Sequence, residues 1–297
     1  MVPIKRKFFK GPSQFIIPAF IFLFVFLIIP FIGTIIFSFA DWKSFFYSEF
    51  RITGISNYIN LFKDSVYLIS LRNSVLLLVI AVIGQVGLGL IIALLLEQKL
   101  FAGSFFRGTY LIPMTVSLFV SGMVFSIMLD PSLGVFDFIL KPLGLGEIGK
   151  VWLASPTIAL WVIYIVTIWH GFGWSMFIFV SALKGISPTL FEAAVVDGAS
   201  EFKKIIHITI PLLKNAIGIA VITTSLYAIS IFEIPYVLTN GGPYHATEFL
   251  STWGYQQGFN FSNVGYGAAI STTLIIISSL VGIFMLKIWT LREAAQE

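Results

Sequence analysis

Cysteine is absent from the 297 residues. No disulfide, no thiolate nucleophile and no cysteine-ligated metal can be built from this chain, and no metal site is expected. Charge is almost as scarce. Asp, Glu, Lys and Arg make up 11% of the residues, against roughly 25% in soluble domains. A Gly-x-x-x-x-Gly-Lys-[Ser/Thr] phosphate loop is also missing, so the chain carries no such nucleotide site. Beyond the first ten residues no clustered basic face interleaved with aromatics occurs, which leaves no nucleic-acid partner. Alternating period-2 segments, solenoid repeats and low-complexity linkers are likewise lacking, and with them the case for a barrel, a repeat array or a tethered second domain.

What remains is apolar. The chain is 58% hydrophobic, with 31 phenylalanines and a net charge of only +4. A helix needs about 20 mainly apolar residues to cross the hydrocarbon core. Six segments qualify: 15–39, 73–96, 109–129, 157–182, 211–237 and 268–289. The third is the weakest, with Pro113 and Asp130 near its ends. Backbone groups in lipid must be satisfied within the segment, so the fold class is an all-α membrane protein. One six-span domain over 13–290 is the simplest partition, flanked by segment 1–12 and tail 291–297. Lys5, Arg6, Lys7 and Lys10 precede the first apolar run, and Ser38-Phe39-Ala40 resembles a signal-peptidase site. A signal core is only about 7–15 residues; this run is longer, so a retained span is expected.

Lysine and arginine set the orientation. With both termini inside, the cytoplasmic segments hold Lys5, Arg6, Lys7, Lys10, Lys99, Arg107, Lys184, Lys203, Lys204, Lys214, Lys287 and Arg292. The outer segments hold Lys43, Arg51, Lys63, Arg72, Lys141 and Lys150. The long loop 238–267 has neither residue type and falls outside. Segment 41–72 mixes aromatics with charge and suits the headgroup level, with Ser56 as an N-cap of a short interfacial helix. Trp42 and Trp152 suit the aromatic belt. Gly84, Gly87 and Gly89 in the second span would allow close helix approach.

The loop 187–210 lies inside in this orientation. Ser187 and Pro188 favour a helix start, and a short helix through Phe191, Glu192, Ala193 and Ala194 should follow. Gly198 can take the left-handed conformation that ends it. Ser200 can cap a second short helix through Lys203, Lys204 and Ile205, and Pro211 would start the fifth span. Such a helix-turn-helix, tied to two spans, is stiff enough to transmit a push. Ala193 and Ala194 would let it sink into a groove, and Glu192 and Asp197 would meet cationic groups there.

This loop resembles the coupling loop of importer-type ABC transporter permeases. Glu192-Ala193-Ala194, a glycine after three intervening residues at Gly198 within Asp197-Gly198-Ala199, and Ile208-x-x-Pro211 carry the likeness; Ile210 stands where the family usually has leucine. Trp169-His170-Gly171-Phe172, Ala182 through Pro188, Leu238-Thr239-Asn240-Gly241-Gly242-Pro243 with Thr247-Glu248, Asn57-Tyr58 and Asp130-Pro131-x-x-Gly134 are similar to the carbohydrate-uptake branch, which includes the maltose and glycerol-phosphate permeases. The extra N-terminal spans and large outer insertion of the maltose permease have no counterpart here. The resemblance implies a type I importer-like permease core in the bacterial cytoplasmic membrane. It implies a second permease chain, homologous but different, two ATPase subunits that carry ATP and Mg, and an extracytoplasmic solute-binding protein. The chain itself would hold no cofactor and catalyse nothing. It would switch between inward- and outward-open states to pass a sugar or oligosaccharide. Glu192, Ala193, Ala194, Asp197, Gly198 and Ala199 would couple it to the ATPase.

Substrate-facing residues are sought on two helix faces. Thr167, His170, Gly171 and Trp174 share one face of the fourth span; Thr224, Tyr227, Ala228 and Ile231 share one on the fifth. In maltose-type permeases the matching faces line the sugar site. Aromatic faces stack on sugar C–H surfaces, and Thr, Tyr and His offer hydrogen bonds. The same residues would also serve plain helix packing. His170 either meets substrate or bridges helices as a neutral side chain, and Glu233, near the outer end of the fifth span, can simply reach water or pair locally. The rival reading is a secondary transporter or channel working without an ATPase, although inverted repeats or several buried charges along an ion path are not evident; a membrane scaffold is the third.

Overall fold

The computed structural model describes residues 16–43, 49–97, 103–144 and 152–294. Segment 1–12 and the cations Lys5, Arg6, Lys7, Lys10, Lys99 and Lys150 lie outside the described residues, as do the last three residues of the tail. The chain divides into two units, one formed by Met1–Lys63 and Gly254–Thr273, the other by Asp64–Trp253 and Leu274–Glu297.

In the first unit, helix α1 (Ile17–Ser38) is a continuous apolar span. Its π turn, Phe24–Ile28, sits just before Pro30, which has no N–H for the carbonyl four residues back. Phe20, Phe22, Phe26 and Leu27 are all exposed, as suits a helix surrounded by hydrocarbon. A ribbon follows in which β1 (Ala40–Asp41) pairs antiparallel with β2 (Arg51–Ile52). Helix α2 (Ser56–Leu61) opens at Ile55 rather than at the expected Ser56, which is already its first helical residue and makes no capping bond. The amide of Asn57 instead anchors this helix, donating to the carbonyls of Ser38 (2.9 Å) and Ala40 (2.8 Å).

The second unit begins with α3 (Ser65–Glu97), a long apolar helix. Asp64 caps it, accepting from the Val66 N–H and from Trp253 Nε1. Helices α4 (Gly103–Thr115) and α5 (Leu118–Met128) replace the expected straight third span, bent by 95° where they meet. Pro113 lies in the last turn of α4, where it removes a donor and crowds the preceding turn. Asp130 then closes a tight turn: the N–H groups of Ser132 and Leu133 bond its carboxylate at 2.8 and 2.9 Å and hold its pKa below the usual carboxylate value. Helix α6 (Val135–Leu140) follows.

Helix α7 (Pro156–Leu183) is the axis of this unit and the most buried of the long apolar helices. At about 1.5 Å per residue it is more than long enough to span a bilayer. Small residues let neighbours close on it. A Cβ on Gly89 of α3 would press on the backbone of Met176, one on Gly84 on Ile168, and one on Gly173 of α7 on the carbonyl of Tyr110. Gly87 faces open space.

After α7 come α8 (Pro188–Val196), α9 (Glu201–Leu212) and α10 (Lys214–Ile229), the last two bent by 68° at Leu213. The expected fifth span, 211–237, is therefore shorter than the sequence suggests and stops at Ile229. Pro235 explains the stop: it cannot donate to the carbonyl of Ile231, which instead accepts from Ser251 Oγ. Helix α11 (Glu233–Thr239) resumes beyond the break, followed by α12 (Leu250–Tyr255) and α13 (Val264–Ala294). Among the described residues, four helices are long and apolar enough to cross a membrane, or up to six if each bent pair counts as one span.

Two apolar clusters hold the second unit together. One gathers Leu77, Ala81, Ile163, Val166, Ala228, Ile231 and Ile234. The other gathers Val86, Ala93, Met176, Phe179, Ala216 and Ala220. Along α3, α7 and α10 alike, the clusters occupy different stretches of the same helix. The residues between them are more polar.

Candidate functional site

The polar interval between the clusters contains a cavity of about 280 Å³. Gln85, Met114, His170, Gly171, Trp174, Thr223, Thr224 and Tyr227 line it. Each helix contributes for a local reason. In α3 the π turn Val82–Val86 interrupts the helix around Gln85, a 2%-exposed amide in an otherwise apolar stretch. Its Nε2 donates to the carbonyl of Thr167 at 2.9 Å, which fixes the side chain. Gly171 makes room for it: a Cβ there would overlap the Gln85 amide.

His170 ties three helices together. Its Nε2 bonds the carbonyl of Val116, at the break between α4 and α5, at 3.0 Å. A carbonyl only accepts, so Nε2 carries the proton. Nδ1 of the neutral ring then accepts from the Tyr227 hydroxyl at 3.4 Å, and the two rings lie nearly parallel. Trp174 Nε1 donates to Thr223 Oγ1 at 3.2 Å. Thr224 is 2% exposed, and its hydroxyl has no partner among the described residues. A buried hydroxyl without a bond costs on the order of 1–3 kcal/mol.

Of the eight residues singled out on the two helix faces, His170, Gly171, Trp174, Thr224 and Tyr227 stand on the cavity wall. Thr167 is fully buried behind it, its hydroxyl bonded to the Ile163 carbonyl. Ala228 and Ile231 belong to the first apolar cluster. Glu233 lies half-buried in the first turn of α11 and is not one of the lining residues. Gln85, Met114 and Thr223 are lining residues that helix-face spacing did not reveal. A lone glutamine within an apolar run was the available signal, since polar groups at membrane depth mark function. Among the described residues the lining has no carboxylate, lysine or arginine, and it offers hydrogen bonds and aromatic faces.

The second element is the loop through α8 and α9. Ser187 and Pro188 open α8, with the Ser187 hydroxyl on that of Thr189. The helix closes with two bonds: Ala199 N–H to Ala194 O (2.9 Å) and Gly198 N–H to Val195 O (3.0 Å), with Gly198 at φ +73°. This is the Schellman arrangement that satisfies the last carbonyls of a helix. Ser200 caps α9, accepting from the Lys203 N–H, and Lys204 pairs with Glu201 at 2.5 Å. Ala194 is buried within the chain, so only Ala193 of the two alanines is at the surface, beside exposed Glu192, Asp197 and Gly198 and a half-buried Ala199. Val195 and Val196 are 60% and 87% exposed. Two bare valines on a short helix rimmed by carboxylates form a surface suited to a partner protein.

A third feature is a knot around Glu248, between α11 and α12. The carboxylate is fully buried. Thr252 Oγ1 donates to it at 2.5 Å and His245 Nδ1 lies 3.3 Å away. Burial raises its pKa above the ordinary value, against the lowering effect of those two bonds. Gly241, at φ +83°, passes so close to the carboxylate that no side chain fits there. Asn73 of α3 clamps the knot, donating to the carbonyls of Ala246 and Glu248.

Comparison with known proteins agrees with this arrangement. Residues 85–290 match the family described as binding-protein-dependent transport system inner membrane component. The probable ABC transporter permease protein YurN of Bacillus subtilis is 34% identical over 93% of this chain and 94% of its own. The trehalose/maltose transport system permease protein MalF of Thermococcus litoralis is 31% identical over 94% and 93%. Among solved structures, a chain of a bacterial ABC transporter involved in the import of the acidic polysaccharide alginate superposes with a TM-score of 0.78, at 20% identity and 93% coverage of both chains. With the family model matched over more than half of its length and relatives above 30% identity aligned over nearly all of it, the chain belongs to the family of binding-protein-dependent transport system inner membrane components.

Proposed function

We propose that this chain is one membrane half of an ATP-driven importer for a carbohydrate delivered by a soluble binding protein. Each bent helix pair counts as one span in this reading, which gives six spans with both termini in the bacterial cytoplasm. The permease domain covers 13–290, between a short N-terminal segment and the tail 291–297. A different but homologous permease chain completes the pathway, and two separate ATPase subunits carry ATP and Mg. This chain binds no cofactor and performs no hydrolysis. Helix α8 docks on an ATPase through Glu192, Ala193, Val195 and Val196, and closure of the ATPase pair moves the spans through the Schellman turn at Gly198.

The observation that carries the coupling role is the exposure of Val195 and Val196 on a helix whose end is fixed by hydrogen bonds. The carbohydrate rests on relatives named for trehalose/maltose and diacetylchitobiose transport and on the cavity, whose hydrogen-bonding groups and aromatic faces suit a hydroxylated ring. A binding protein as donor is supported by the family description and by the related alginate transporter solved with its periplasmic protein.

The test is co-purification of the tagged chain expressed with its neighbouring genes, wild type against Val196→Glu and Glu192→Lys. Both side chains are exposed, so neither change disturbs packing. The ATPase should co-purify with the wild type and be lost or uncoupled in the variants. Sugar uptake by the wild type with no ATPase bound would instead favour a transporter that works without one.

A further inference from the structure

The first unit contains its own cavity, of about 340 Å³, lined by Trp42, Asn57, Asn60, Gln257, Asn263 and Tyr266, with Asp41 and Lys43 at its rim. We infer that this cavity is a second saccharide site, selective for a neutral sugar, on the outer face of the protein. The inference deepens the carbohydrate reading and rests on it, and the outer placement follows from the same orientation.

The walls are fixed in advance of any ligand. Gly265 N–H donates to the Trp42 carbonyl at 3.0 Å, and a Cβ on Gly265 would strike the Ala40 carbonyl, so the start of α13 is held hard against the ribbon. The indole of Trp42 is braced edge-on by Phe37 and Phe50, with centroids 4.8 and 5.9 Å away. The Asn57 amide is committed to two carbonyls and locks α2 to the same ribbon. Such a cavity binds without first having to order its walls.

Its chemistry points to a hydroxylated ligand. Gln257 is only 8% exposed. Its Oε1 accepts from Asn263 Nδ2 at 3.0 Å, which orients the amide and leaves its Nε2 with no partner among the described residues. Gln257 lines this cavity, so its amide nitrogen is placed to donate to a ligand there. Asn60 adds an exposed amide that makes no side-chain hydrogen bond among the described residues. Amides both donate and accept, as sugar hydroxyls do, and Trp42 and Tyr266 bring aromatic rings for C–H faces. The volume is that of an ordinary small-molecule site. One carboxylate and one ammonium cancel, so no net positive charge draws in an acidic sugar. A phosphate or uronate would need a cationic excess that this lining lacks.

The experiment uses the complete transporter in lipid nanodiscs, without binding protein. Saturation-transfer NMR is recorded with maltose, trehalose, diacetylchitobiose and xylose as neutral probes and an alginate disaccharide as the anionic one. At least one neutral probe should receive saturation, and the alginate disaccharide should not. Gln257→Met and Asn60→Ala should each weaken that probe roughly three- to tenfold, the effect of one lost hydrogen bond. Asn60 is exposed, so its replacement keeps the test valid if Gln257→Met folds poorly. Unaltered binding in both Gln257→Met and Asn60→Ala overturns the inference. Proteoliposome uptake by the same wild-type complex separates the two readings. Import of a probe without any binding here defeats the second site alone; neither import nor binding defeats the carbohydrate reading as well.

Discussion

Gly198 offers a clean way to separate backbone shape from surface chemistry in the coupling loop. Its φ of +73° lies in the left-handed region, yet a Cβ there would meet nothing within 4 Å. Replacement therefore costs only backbone strain. For an ordinary L-residue that is about 1–2 kcal/mol, a factor of roughly 5–30 in favour of an unwound end of α8. Asparagine tolerates this conformation and valine does not. The expected order of damage is Asn, then Ala, then Val. Two readouts in the purified complex test it: hydrogen exchange of the α8 backbone amides, and ATP hydrolysis stimulated by the binding protein. Both should degrade in that order, with the Asn variant near wild type. Equal loss in Gly198→Asn and Gly198→Val would refute the reasoning, because any side chain at the surface would then matter more than the turn. Faster exchange with intact coupling would show that the ordered end of α8 transmits nothing.

The remaining expectations concern the cavity and the outer knot. Gly171→Ala should push the Gln85 amide off the Thr167 carbonyl and shrink the cavity; uptake should show a raised KM, with ATPase assembly unchanged. His170→Ala leaves the Val116 carbonyl without its imidazole donor and should cost about 1–3 kcal/mol, visible as a lower Tm, whereas His170→Gln should recover part of it. Glu248 has a raised pKa because of burial, so the folded state holds this proton more tightly than the unfolded chain. Its contribution is most favourable below the ordinary carboxylate value of 4.5 and is lost as pH climbs from there through the higher folded value. Glu248→Gln should accordingly flatten the fall of Tm with rising pH above about 5; an unchanged slope would assign that fall to other groups.

Hydropathy located the four long apolar helices but not the bends in the two remaining pairs. Span length is an additive property of composition, whereas a break depends on which carbonyl loses its donor. Pro113 and Pro235 were visible signs, yet only the structure shows Val116 answered by His170 and Ile231 answered by Ser251. The end of α8 was readable because Ser187, Pro188, Gly198 and Ser200 act locally, within a turn of their own positions. Ser56 failed as a cap because the local pattern fits equally well one residue earlier. The cavity was readable only in part. Spacing along one helix finds a shared face, but Ala228 and Ile231 share a face with Tyr227 and still pack into the core. What separates them is the neighbouring helix, and that information is not local.

The π turn around Gln85 gives α3 a tolerance of length at this one place. Such a turn is an α-helix holding one surplus residue. Deleting a single residue from Val82–Val86 would restore a regular helix with its two ends still in register, so that Leu77 and Ala81 keep one apolar cluster and Ala93 the other. The same deletion elsewhere in α3 would swing one end by about 100° against the other. The bulge therefore confines a one-residue change in chain length to the cavity wall around Gln85.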